Sequence, residues 1–126
     1  MTNNQSTNKD FDLEERTAVF GENSIELLKK VPKDEITKPI ITQLSKCTTS
    51  VGANYCEADD AESPKDFCHK IGICKKESRE SKHFFRMLAK ATPELRDEII
   101  PLWKEAKELN LIFNSIYKKV KDKNKD

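Results

Sequence analysis

Glycine is scarce in this chain of 126 residues, which carries only Gly21, Gly52 and Gly72. So few glycines exclude a phosphate-cradling glycine-rich loop and argue against a sheet protein with many tight turns. Aromatic residues make up 7% of the chain, with a single tryptophan. No apolar run approaches the roughly 20 residues that span a bilayer. The polar start, residues 1–9, has neither the apolar core nor the cleavage pattern of a secretory signal. Together these absences predict a soluble cytoplasmic protein with no membrane partner. Excess charge of one sign is also missing: the net charge is +1, so the molecule as a whole has no strong field to gather nucleic acid or anionic lipid. Any such binding needs a local patch.

The residues that build reactive sites are equally sparse. The four cysteines, Cys47, Cys56, Cys68 and Cys74, lack the CxxC spacing of zinc or redox sites and read as reduced, small packing residues. Cys68 and His69 are adjacent, so on a helix their side chains diverge by about 100° and do not converge on one ion. Di-metal helical bundles need repeated Glu-x-x-His motifs on facing helices, and the two histidines of this chain, both on the third predicted helix, do not supply them. No catalytic residue, metal site or cofactor is predicted, and an enzyme is not expected.

What is present is charge and helical periodicity. Charged and hydrophobic residues each make up 36% of the chain, a composition suited to long solvated helices in an all-α fold. The length suits one domain with a core of its own. Residues 1–10 read as a disordered leader. A first helix is predicted from Asp12 to Lys30, with Leu13, Thr17, Phe20, Ser24 and Leu27 on one stripe, widened by Ala18, Ile25 and Leu28. Val31-Pro32 ends it. A second helix is expected from Glu35 or Pro39 to Ala58, with a seam of Ile36, Ile40, Leu44, Cys47, Val51, Tyr55 and Ala58. Gly52 inside it costs about 1 kcal/mol of helix propensity relative to alanine, a cost explained by close approach of another helix backbone.

Ser63-Pro64-Lys65-Asp66 is a strong helix start, with an N-cap hydroxyl, proline at the first position and a carboxylate in the first turn. The third helix then extends to Ala89, with Phe67, Ile71, Cys74, Ser78, Ser81, Phe85 and Leu88 alternating by four and three. Thr92-Pro93-Glu94 repeats the start signal. The fourth helix carries Leu95, Ile99, Leu102, Ala106, Leu109, Phe113, Ile116 and Val120, with Pro101 expected to kink or split it. Short connections between four helices predict an antiparallel up-down-up-down bundle over residues 11–120, followed by a charged tail at 121–126.

Charge is unevenly spread along these helices. Lys75, Arg79, Lys82, Arg86 and Lys90 recur every three or four residues on the third helix and line one of its faces. They are the candidate phosphate-contacting surface, with the lysines from Lys118 onward beside them. A solvated helix face has the same pattern, and few aromatic residues are interleaved with it. Asn54 and Glu57, and likewise Glu77 and Glu80, stand three apart. They read as a buried polar network or as interface ion pairs.

Thr49-Ser50-Val51-Gly52-Ala53-Asn54-Tyr55, then Glu57-Ala58, Ser63 to His69 with Ile71, Lys76-Glu77 and Glu80 resemble a bacterial four-helix-bundle family associated with intervening sequences in 23S ribosomal RNA genes. Glu105-Ala106, Glu108-Leu109, Ile112-Phe113 and Ser115-Ile116 are similar too. The resemblance implies an antiparallel four-helix bundle that assembles as a ring-like homopentamer. It also implies kinship with the accessory protein of diversity-generating retroelements, which binds nucleic acid and a reverse transcriptase through a basic surface. Cys56 departs from the family pattern, standing where many relatives carry a basic residue. The expectation is therefore a non-enzymatic, homo-oligomeric bundle that binds RNA or DNA, or an RNA-protein complex, through its third helix. The alternative is a protein-protein interaction or structural module with no nucleic-acid role.

Overall fold

The computed structural model describes residues 12–124; the expected leader at 1–10, Phe11, Lys125 and Asp126 lie outside the described residues. Four α-helices account for most of the remainder: α1 (Leu13–Lys30), α2 (Thr37–Asp59), α3 (Pro64–Ala91) and α4 (Arg96–Asn124). A single 3-10 turn, Pro93–Leu95, precedes α4. No strand occurs among the described residues.

Three of the helices, α1, α2 and α3, start where side chains satisfy free N–H groups of the first turn. Asp12 caps α1 by accepting from the Glu15 N–H, and Ser63 caps α3 by accepting from Asp66 N–H at 3.0 Å, with Pro64 in the first turn. The start of α2 is reciprocal. The Asp34 carboxylate accepts from the Ile36 and Thr37 N–H groups at 2.8 Å, and the Thr37 hydroxyl accepts from the Asp34 N–H at 2.9 Å. These backbone donors hold the Asp34 carboxyl below its usual range. Thr92 departs from its expected role. Its backbone N–H closes α3 on the Leu88 carbonyl, and its hydroxyl is buried without a hydrogen-bond partner. No side-chain hydrogen bond caps the 3-10 turn that leads into α4.

The four seams meet in one core containing Phe20, Leu27, Leu44, Val51, Ile71, Phe85, Leu88, Ile99, Leu109 and Phe113. The first-helix stripe is buried as expected, but Ala18 and Ile25 are exposed, because α1 packs on α2 and α4 through its other flank. Ile36 drops out of the second seam at 65% exposure, since it precedes the helix in the connecting turn. Apart from Thr92, serine and threonine occupy core positions without stranding their hydroxyls. Thr17, Ser24, Thr48 and Ser81 each donate back to the carbonyl four residues earlier, at 2.6 to 2.8 Å. α4 continues through Pro101 unsplit. The proline lies in its second turn on the solvent side, where the carbonyl that loses its partner faces water. The segment from Lys121, expected as a tail, continues α4 to Asn124.

The helices pack in neighbouring pairs: α1 on α2, α2 on α3, α3 on α4, and α4 less extensively on α1. Arg16 binds Glu105 through two bonds of 2.7 and 2.9 Å, while Lys30 reaches Glu98 at 2.6 Å. Asn110 donates to the Lys75 carbonyl at 2.8 Å and fixes the register of α3 against α4. The glycines mark the closest approach of α1 and α2. A Cβ on Gly21 would touch the Thr48 carbonyl oxygen at 3.5 Å, and one on Gly52 would meet the Thr17 hydroxyl at 3.2 Å and backbone at 3.5 Å.

Gly52→Leu is therefore expected to destabilise the fold by about 1–3 kcal/mol or more through overpacking. Gly52→Ala should stay close to neutral, because roughly 1 kcal/mol of helix propensity offsets the tight contact. Urea unfolding of both variants checks this; a leucine variant as stable as the parent would mean that the helices do not close there.

Candidate functional site

The five basic residues proposed for α3 do not form one uniform stripe. Lys75 and Lys82 are half-buried towards α4, whereas Arg79, Arg86 and Lys90 are exposed. None of the five has an ion-pair partner among the described residues, although five such pairs form elsewhere on the surface. Five cations without an ion pair on a nearly neutral molecule make α3 the candidate surface for an anionic partner.

Lys75 and Arg79 share a shallow trough along the outside of α3 with Gly72, Lys76, Glu80, His83 and Phe84, and with Tyr117 of α4. Tyr117 lies across Gly72: a Cβ there would come within 3.1 Å of its ring edge. The ring is flanked by two lysines, Lys75 at 4.6 Å and Lys121 at 5.3 Å from its centroid, and Lys121 also donates to its hydroxyl. At the other end, His83 stands edge-on to Phe84 with centroids 5.1 Å apart. Aromatic side chains thus bracket the cations, a feature the helical spacing of α3 alone does not reveal, because Tyr117 arrives from another helix.

Arg86 belongs to a second depression. It and Arg96 flank an apolar cleft between α3 and α4 formed by Phe85, Ala89, Ile99, Ile100 and Trp103. A third groove lies past the N-terminal end of α1, where Leu13, Tyr55, Leu111, Ile112 and Ile116 line an open apolar surface. It exists because α1 has 18 residues and α4 has 29, so α4 extends about 16 Å further. Leu111 is 55% exposed there.

The polar residues singled out in sequence occupy separate places. Asn54 donates to the Ser50 carbonyl and hydroxyl within α2. Glu57 bridges to Lys70 of α3 at 2.6 Å, an exposed contact of small energetic weight. Glu77 is half-buried, and loss of solvent together with the neighbouring Glu80 carboxyl raises its pKa. Among the cysteines, Cys47 and Cys74 are buried as packing residues, whereas Cys56 is exposed. Burial pushes the Cys74 thiol up to about 12, so it remains protonated and unreactive. No cluster of three or more His, Cys, Asp or Glu side chains that could hold a metal occurs among the described residues. No described helix is long and apolar enough to cross a membrane.

Four helices without strands among the described residues define an all-α protein. Over residues 9–126 the chain matches the 23S rRNA-intervening sequence protein family, and it belongs to that family. It is similar to the crystal structure of a protein of unknown function from the S23 ribosomal protein family of Bacteroides thetaiotaomicron. The two share 26% identity and a TM-score of 0.77, over 87% of this chain and 98% of that one. No curated protein matches the chain.

The raised pKa of Glu77 has a definite sign in stability. The neutral carboxyl is favoured in the folded state, so its contribution is complete below the ordinary value of 4.5 and is lost as pH rises through the raised value. Glu77→Gln should therefore match the parent in urea midpoint below about 4.5 and exceed it at neutral pH. A midpoint difference that does not change with pH would place Glu77 in bulk-like water.

Proposed function

We propose that this chain is a non-enzymatic binding module whose helices run up-down-up-down, whose copies assemble into a homopentamer, and whose α3 face binds RNA in the cytoplasm. The observation that carries the RNA reading is the run of unpaired Lys75, Arg79, Lys82, Arg86 and Lys90 on one helix of a nearly neutral protein. Backbone phosphates supply the complementary charge, and a ring would repeat the patch around its axis and bind multivalently.

The antiparallel order is supported by the contact pairs. Arg16 meets Glu105 while Lys30 meets Glu98, so α1 ascends as α4 descends. Glu57 meets Lys70 and Val51 meets Cys74, which gives α2 and α3 opposite directions. Self-association is supported by exposed Ile25 and Leu111 and by the apolar groove that Leu111 borders; the number five comes from the family resemblance. A protein partner is the second reading, favoured by the apolar cleft around Trp103 with Arg86 and Arg96 at its edge.

Native mass spectrometry of protein purified without nuclease at low salt should show a multiple of 14.5 kDa carrying nuclease-sensitive mass. Reversing Arg79 and Arg86 to glutamate should weaken RNA binding by at least about tenfold and flatten its salt dependence by roughly one unit of slope per lost phosphate contact, with the melting temperature kept. A parent protein that carries no RNA, or binding insensitive to the reversal, would remove α3 as an RNA surface and favour the protein partner.

A further inference from the structure

We infer that the α3–α4 trough is a subsite for an unpaired RNA base, so that the protein prefers single-stranded to duplex RNA; this rests on the RNA reading above. A helix face carrying only cations contacts phosphates and does not distinguish strand from duplex. The trough adds what an unpaired base needs. Gly72 leaves the wall of α3 open, and Tyr117 lies over that opening, half-exposed, with its ring edge 3.1 Å from where a Cβ would stand. Lys75 and Lys121 hold the ring from its flanks. The stretch of α3 from Gly72 to Phe84 is roughly 18 Å long and places Lys76 and Arg79 between Tyr117 and the His83–Phe84 pair.

Chemistry selects the ligand class. Lys75, Lys76 and Arg79 are positive against one lining carboxylate, Glu80. The charge favours a polyanion, and the aromatic groups at both ends favour exposed π-faces, which a strand offers and a duplex hides in its stack. Lys121 is exposed in the last turns of α4. A solvent-exposed cation–π contact is weaker than base stacking, so a base displaces Lys121 from the ring and frees the ammonium for the adjacent phosphate.

The test compares one fluorescently labelled RNA, single-stranded and annealed to its complement, by anisotropy with the full chain and three variants. Tyr117→Leu keeps an apolar side chain over Gly72 and removes the ring; Tyr117→Phe keeps the ring; Arg79→Glu removes a phosphate contact. Single-stranded RNA should bind more tightly than duplex to the parent. Tyr117→Leu should lose roughly tenfold or more for the strand and little for the duplex, Tyr117→Phe should retain parental binding, and Arg79→Glu should weaken both. Equal losses on strand and duplex with Tyr117→Leu, or no loss at all, would overturn the base subsite while leaving the α3 phosphate surface standing. A parent that binds neither RNA would overturn both. Circular dichroism melts of the variants distinguish a lost subsite from a lost fold, and parental binding by Tyr117→Phe with a melted Tyr117→Leu would turn the comparison to Gly72→Ala, which displaces the ring without deleting it. Undiminished strand binding by a folded Gly72→Ala would count against the subsite.

Discussion

The contact on which the rest of the fold depends is the meeting of Phe20 and Phe85 across the core. Their rings stand edge to face with centroids 6.3 Å apart, and both are fully buried. They come from α1 and α3, which are not neighbours in the packing order. Small buried residues come from every helix as well: Gly21 of α1, Cys47 and Thr48 of α2, Ser81 of α3 and Ala106 of α4. Hydroxyls at these positions are tolerated because each returns its proton to its own helix, so close packing costs no stranded donor.

That centre fixes the helices' positions, and their unequal lengths then decide what remains outside. α1 is short, so the far end of the fold is closed by three helices, and Tyr55, Ile112 and Ile116 stay partly accessible there. α3 contributes its apolar seam to the core and turns its cations outward. Among the described residues they form no ion pair, while Glu105 pairs with Arg16, Glu98 with Lys30 and Glu57 with Lys70. A binding surface here is thus the complement of the packing solution, not a pocket cut into it. Burial is the first cause of the raised pKa of both Cys74 and Glu77.

Several features were legible because local sequence enforces them. Alternation by three and four placed every core position of the third seam from Ile71 to Leu88. Ser63-Pro64 marked the start of α3, and Gly52 marked a close helix contact. Where local signals competed, the reading failed. Ile36 carried the right spacing but stood before the helix began. Thr92 carried the right chemistry for a cap but was needed to close α3. Pro101 was tolerated because its lost bond falls on a wet second turn.

The amino-acid sequence by itself determined the all-α class, the four helices, their apolar faces and the basic face of α3, since periodicity and capping act over a few residues of chain. Only the tertiary structure decided that Tyr117 lies over Gly72, that Arg86 parts from Arg79 to border an apolar cleft, and that Cys56 faces solvent. Those outcomes depend on the register of α3 against α4 and of α1 against α2. Register is set by contacts between residues distant in sequence, such as Asn110 with Lys75 and Arg16 with Glu105, and no helix carries that information alone.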